Sequence, residues 1–170
     1  HFMNLKKLLV SVCLAYLVTN NFAWSATEDL ADNVTQLSEA EHNTWLKKRF
    51  SQQHDQLMPI VAVADMFFSC QQKRQAEQTQ YPVSFLVQKM GKQQLAENLS
   101  RCLGDDTMQS DMALNFGLLG CFHEQLKHLP AAQLQQKMHL VEQSLVNLSY
   151  EERKKSFTKC VNEQSIGYLK

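Results

Sequence analysis

The chain has 170 residues, of which 44% are hydrophobic and 20% are charged. These fractions are typical of a globular protein and exclude a disordered chain, a collagen and a polytopic membrane protein. Lys plus Arg and Asp plus Glu both number 17, so the bulk charge does not favour nucleic acid or an acidic membrane surface as a partner. With only 5 Gly and 3 Pro, the composition predicts an all-α fold rather than a sandwich or barrel.

The first 25 residues have the features of a secretory signal peptide. Two lysines precede an apolar run over 8–18, which is too short for a stable membrane anchor. Ala23 and Ser25 then occupy the small-residue positions that a signal peptidase recognises. We therefore expect cleavage between Ser25 and Ala26, export to the periplasm or secretion, and no stable membrane span afterwards. The residues before Met3 are interpreted as non-native or upstream residues.

The cysteines also favour an exported protein. Cleavage would remove Cys13 and leave an even number in the mature chain, namely Cys70, Cys102, Cys121 and Cys160. An even number of cysteines in an exported chain indicates a disulfide framework. None of them belongs to a C-x-x-C pair, which argues against a thioredoxin-like redox site, a haem attachment and a zinc ribbon.

The mature chain is predicted to begin with a flexible polar lead-in over 26–36, followed by a single helical domain over 37–170. The first helix is predicted to start at Ser38. There, Ser38 and Glu41 have the spacing of a capping box, in which each side chain bonds the other residue's backbone N–H. This helix should end near Gln53.

Proline and glycine mark the next two predicted helices. The second follows Asp55, with Pro59 in its first turn, where the missing N–H costs little. The third begins near Pro82 and should bend or break at Gly91, because glycine disfavours a helix interior. Gly104 is predicted to cap its C-terminus.

The last three predicted helices complete a bundle of about five to six. Asp105 or Asp106 is expected to cap the fourth. Pro130 opens the fifth. Ser149 and Glu152 form a capping box for the sixth. The fifth helix has the most regular apolar stripe, at Leu134, Met138, Val141, Leu145 and Leu148. The sequence thus predicts a disulfide-stabilised helical bundle after a signal peptide.

Helix lengths allow the disulfide pairings to be ranked. If the last three helices run up and down, Cys121 and Cys160 both lie level with Met138, so they can bond. This leaves Cys70 with Cys102, which requires the third helix to bend or to cross the second steeply. A bond from Cys70 to Cys121 would also join two residues at the same height in the bundle, but it would leave Cys102 and Cys160 at opposite ends. We favour the local pairs, each worth about 3–4 kcal/mol in a chain-entropy model.

No pattern in the sequence predicts a cofactor, a metal or a catalytic group. His123 and His128 are five residues apart, which turns them by about 140° on a helix, whereas two ligands on one face need a spacing of three or four. Asp65 lies in an apolar stretch, and we expect a salt bridge there at the edge of the core. Motifs for a nucleophile, a zinc protease or a phosphate loop are missing from the sequence. We therefore expect a non-enzymatic protein.

The leading hypothesis is a protein–protein interaction protein, such as an adaptor, an inhibitor or an immunity-type protein, whose partner is another exported or envelope protein. Short basic clusters and exposed aromatic side chains are its candidate contacts. These residues are Trp45, Lys47, Lys48, Arg49, Phe50, Arg153, Lys154 and Lys155. One alternative is a general periplasmic chaperone with an exposed apolar groove. Another is a hydrolase or a carrier of a small ligand or metal, which requires a cavity larger than a water or two near Asp65 or the histidines.

Overall fold

The structure, a computed structural model, describes residues 25–75 and 79–169, with side-chain surroundings from Ser38 onward. These residues form six helices and no strand, in the order α1 (Ser25–Arg74), α2 (Val83–Gln88), α3 (Lys92–Leu103), α4 (Asp111–Leu126), α5 (Ala131–Leu145) and α6 (Tyr150–Tyr168). The predicted all-α, disulfide-stabilised bundle is confirmed. Positions 1–24 of the predicted signal peptide lie outside the described residues. No described helix combines the length and hydrophobicity that a membrane crossing requires.

The chain divides into two compact units, 1–49 and 50–170. In the first, every described side chain from Ser38 to Arg49 is exposed. The backbone is helical from Ser25 onward, where the sequence predicted a lead-in over 26–36. Ser38 and Glu41 therefore lie inside α1 and form no cap. The reason is that 25–58 contains neither glycine nor proline, so nothing in it ends a helix.

Within the second unit, α1 continues to Arg74 without the predicted break near Gln53, and Pro59 lies inside it. Proline removes one backbone hydrogen bond from a helix, yet the burial that follows holds the helix together. The buried residues of this segment recur at helical spacing: Val61, Ala64, Phe67, Phe68 and Cys70. This face of α1 supplies side chains to both clusters of the hydrophobic core.

The first core cluster joins α1 to α2 and α3. The predicted break occurs at Gly91, whose extended backbone (φ −65°, ψ 141°) separates the two short helices. Gly104 ends α3 with a φ of +66°, a conformation that favours glycine. Because the chain breaks at Gly91, Cys102 comes within bonding distance of Cys70, and their Cα atoms are 6.2 Å apart. Buried leucines fill the cluster, namely Leu86, Leu95, Leu99 and Leu103.

The start of α4 differs from the prediction. Ser110 caps this helix, and its side chain accepts a hydrogen bond from the Ala113 N–H at 3.1 Å. Asp106 instead accepts a hydrogen bond from Arg74 at 3.2 Å. The same guanidinium donates to the carbonyl of Cys102 at 2.7 Å. The acid that was expected to cap α4 therefore helps to tie the end of α3 to α1.

The second core cluster joins α1, α4 and α6. Its buried members include Val61, Leu114, Leu118, Phe157 and Val161. The Cys121–Cys160 disulfide runs through it, with Cα atoms 6.2 Å apart. Both disulfides are therefore the local pairs that helix lengths favoured. The predicted capping box is also present, since Ser149 accepts from the Glu152 N–H while the Glu152 carboxylate accepts from the Ser149 N–H.

Two glycines allow α4 to approach its neighbours closely. A Cβ atom on Gly120 would lie 2.2 Å from the backbone oxygen of Asp65 in α1. A Cβ atom on Gly117 would lie 2.5 Å from the ring of Phe157 in α6. Real Cβ atoms do not approach other atoms so closely, so the packing of α4 on both helices depends on these two positions.

Candidate functional site

Asp65 is a fully buried carboxyl group at the contact of α1 with α4 and α6. Gln164 Nε2 donates a hydrogen bond to its Oδ1 at 3.1 Å, whereas Oδ2 has no hydrogen-bond partner among the described residues. Burial raises the pKa of Asp65 well above its ordinary value, opposed by the Gln164 hydrogen bond and reinforced by Glu124. The expected salt bridge is absent from the described part of the chain, because the carboxyl group lies in the core and not at its edge.

The groups around Asp65 form a closed polar cluster. Gln164 Oε1 lies 2.9 Å from Cys121 Sγ, a disulfide sulfur without a proton. Burial, aided by the charges of Glu124 and Asp65, raises the pKa of Tyr168 to about 12. Since the Asp65 side chain has no exposed surface, it cannot reach a substrate in this conformation. We assign this cluster a role in the stability of the bundle.

A cavity of about 310 Å³ lies between α1, α4 and α5. We call it the α4–α5 cleft. Its lining is apolar at Leu119, Leu134 and Met138 and polar at Ser69, His123 and Glu142. Lys73 of α1 forms an ion pair with Glu142 of α5. The cleft lies beside His123, one of the histidines near which a small-ligand function would need a cavity, although the three helices that bound it were not predicted.

His123 lines the α4–α5 cleft, but its Nδ1 atom is buried and out of reach of a molecule in the cleft. Its ring packs against Phe68, with centroids 4.7 Å apart and planes tilted by 47°. The Nδ1 atom is buried and has no hydrogen-bond partner among the described residues. Burial lowers the pKa of His123, partly opposed by the charge of Glu124. The imidazole is therefore neutral at pH 7 and carries one donor and one acceptor nitrogen.

The basic cluster of α6 divides into exposed and buried members. Lys154 and Lys155 are exposed. Together with Lys159 they line a groove of about 450 Å³ that Met58 of α1 also lines. Arg153 is buried instead. It donates a 2.7 Å hydrogen bond to the Oδ1 of Asp111 and another to Asn115. Arg153 therefore fastens α6 to α4 and is not part of an exposed contact surface.

The other candidate contact residues lie along α1. In the first unit Trp45 is 54% exposed. The Arg49 guanidinium lies 5.7 Å from its ring centroid, a cation–π contact. Lys47 and Lys48 are exposed beside them. Phe50, the first residue of the second unit, is 51% exposed.

Sequence reasoning missed Lys159 and the α4–α5 cleft. Lys159 follows Lys155 by four residues and so shares its helix face, a spacing that was available in the sequence. No local pattern reveals the cleft, because its lining comes from three helices that are distant along the chain.

The described residues show no arrangement of three or more His, Cys, Asp or Glu side chains that could hold a metal ion. Comparisons with protein-family models, curated proteins and solved structures find no match to this chain. The function therefore has to be argued from the surfaces and cavities of the molecule itself.

Proposed function

We propose that this is an exported, non-enzymatic binding protein that docks an acidic partner protein of the cell envelope through an exposed face of α6. This lysine face consists of Lys154, Lys155 and Lys159. The observation that carries the proposal is that these three exposed lysines line one groove with a single acid, Glu151, and that none of the lysines forms an ion pair with a described residue.

Charge makes this face suitable for an acidic partner. Lys155 and Lys159 are four residues apart on α6 and repel each other, and carboxylates on a partner would relieve that repulsion. Oppositely charged surfaces also increase the rate of association. The side chain of Met58 in the same groove offers an apolar contact beside the charges. The partner surface is therefore one that combines acidic and apolar side chains.

The disulfides support the exported location. Such bonds form and persist in oxidising compartments and are rare in a reducing cytosol. Both bonds found among the described residues join helices of the core, at Cys70–Cys102 and Cys121–Cys160. Together with the predicted cleavage between Ser25 and Ala26, they support a mature protein that folds in the periplasm or is secreted. The intact mass of protein recovered from the envelope of the source cell tests the cleavage site directly.

Charge reversal tests the docking surface. The variant Lys154→Glu/Lys155→Glu/Lys159→Glu should no longer capture the envelope protein that the tagged wild type captures stoichiometrically. The matched control is Lys89→Glu/Lys92→Glu/Lys137→Glu, which makes the same change in net charge at exposed positions outside α6. Binding by the wild type and the control should weaken as salt concentration rises.

Equal capture by both triple variants would contradict the lysine face. Capture of many unfolded proteins, independent of salt, would support the chaperone alternative instead of a dedicated partner.

A further inference from the structure

The first unit of the chain is a helical segment whose described side chains are all in contact with solvent. Every side chain from Ser38 to Arg49 is exposed, including Trp45 at 54% and Leu46 at 45%. Most of the stability of a helix in a protein comes from packing its apolar face, and a helix that lacks such packing is marginal in water. Packing against another molecule would therefore stabilise this segment.

Four exposed residues of this segment lie along one helix face, which we call the α1 seam. They are Glu39, His42, Leu46 and Arg49, and their spacing of three, four and three residues is that of the contact positions in a two-stranded coiled coil. Trp45 borders the seam, with its ring centroid 6.0 Å from that of His42 and 5.7 Å from the guanidinium carbon of Arg49. The face thus has Leu46 and two aromatic rings at its centre and opposite charges at its two ends.

The order of charges along this helix makes the seam complementary to itself. Residues 26–46 contain five acids and no Lys or Arg, and three basic residues follow directly at 47–49. A parallel pair of copies would place acid beside acid, whereas an antiparallel pair places the acidic end of each copy beside the basic end of the other. Neither Glu39 nor Arg49 forms an ion pair with a described residue, so both can form such a contact.

We propose that a second copy of this chain docks on the α1 seam, antiparallel and with two-fold symmetry. Such symmetry requires that when residue i contacts residue j, residue j also contacts residue i. With the axis at Thr44, Glu39 of each copy lies opposite Arg49 of the other, and His42 lies opposite Leu46, because both pairs are centred on position 44. One register therefore uses all four seam residues. The seam shares no residue with the lysine face, so this inference does not depend on the proposed function.

The oligomeric state of the oxidised mature chain tests the proposal. Sedimentation velocity should show a monomer at low micromolar concentration that converts to a dimer as the concentration approaches millimolar, because so short a seam buries less surface than a standard interface. The predicted cleavage removes Trp24 and leaves Trp45 as the single tryptophan. Its fluorescence emission should therefore shift to shorter wavelength over the same concentration range.

Charge-swapped variants test the register. Glu39→Arg and Arg49→Glu each place like charges together at both ends of the seam and should weaken the dimer about 10-fold. An equimolar mixture of these two variants restores opposite charges at both ends, and so does the double variant Glu39→Arg/Arg49→Glu. Both the mixture and the double variant should recover the association of the wild type.

Matched controls make the same changes in charge outside the seam. Glu41→Arg and Lys48→Glu are at exposed positions of the same helix, and helical spacing turns both of them away from the seam. Each should leave the dissociation constant of the dimer within about 2-fold of the wild-type value.

A chain that stays monomeric at millimolar concentration overturns the proposal. So does a dimer that the seam variants leave unchanged, because its interface would then lie elsewhere. Single variants that weaken the dimer without recovery on mixing would refute the antiparallel register. If the wild type is monomeric and Glu39→Arg loses capture of the envelope partner, the seam contacts that partner and self-association is refuted.

Discussion

Helices α5 and α6 both pack on α4, but they are held very differently. α6 is joined to α4 by the Cys121–Cys160 disulfide and by the bonds of Arg153 to Asp111 and Asn115. α5 has neither kind of link to α4, and among its residues only Leu145 is buried. The more regular amphipathic helix is thus the less buried one. Periodicity shows which face of a helix is apolar, whereas covalent and polar links decide how completely the protein covers it.

Truncating one apolar side chain on each helix should give the largest difference. Phe157→Ala on α6 removes a buried ring and should lower the free energy of unfolding by about 3–5 kcal/mol. Met138→Ala on α5 removes a half-buried side chain that borders a cavity and should cost about 1 kcal/mol. Urea unfolding of both variants measures the two values. Equal losses would show that α5 is as tightly packed as α6.

Removing the Cys121–Cys160 disulfide should make the local stability of α6 more similar to that of α5. Cys121→Ala/Cys160→Ala opens a link between residues 39 apart and should cost about 3–4 kcal/mol. In native-state hydrogen exchange, the amides of α6 should then exchange at rates closer to those of α5. The control is Cys70→Ala/Cys102→Ala, which should cost a similar amount but leave the difference between α5 and α6 in place. Unchanged protection of α6 in the first variant would contradict the role assigned to its disulfide.

The buried carboxyl group beneath α6 should make stability depend on pH. Burial raises the pKa of Asp65 in the folded protein, so the folded state holds a proton that the unfolded chain releases near pH 3.9. Stability should therefore fall as pH rises from about 4 through the raised pKa. In Asp65→Asn this contribution is absent, so the wild type should lose stability relative to the variant as pH rises above about 4.

Chemical denaturation of both proteins at several pH values measures this difference. Subtracting the two profiles cancels the titration of His123, whose lowered pKa changes stability in the opposite direction. A difference that does not change with pH would show that Asp65 is ionised in the folded state.

The smallest effect is expected at the N-terminus of α6. Ser149→Ala removes the side chain that accepts the Glu152 N–H and should cost about 1 kcal/mol. The corresponding position of α5 is Pro130, which makes no side-chain cap, so Pro130→Ala should change stability less. Thermal unfolding of the two variants compares them. A larger loss at Pro130 would contradict this account of the two helix starts.

Local signals predicted much of the fold. The break at Gly91, the cap at Gly104 and the start of α6 at Ser149 each depend on a few neighbouring residues, and all three are confirmed. The same reasoning was wrong at Ser38, because a capping-box pattern also occurs inside a helix when nothing before it stops the chain. It was also wrong at Asp106, whose carboxylate is bound by Arg74 from a distant helix.

The candidate sites depended still more on distant contacts. In the sequence, Arg153 cannot be distinguished from the exposed lysines that follow it. In the structure it is buried and donates hydrogen bonds to Asp111 and Asn115, about forty residues earlier in the chain. The cleft exists because α5 does not pack fully against α1 and α4. The separation of these three helices cannot be read from the sequence of any one of them. Only the lysines themselves could be identified from spacing alone.

The close approach at Gly120 offers a way to recognise relatives of this chain. Any protein that keeps α4 against the Asp65 carbonyl must keep a glycine there or move the helix away, because a Cβ atom would lie 2.2 Å from that oxygen. Gly117 and Cys121 are set by contacts with the same neighbouring helix, α6. The pattern of glycine, two further residues, glycine and cysteine is therefore a sharper search pattern than the cysteine spacing alone.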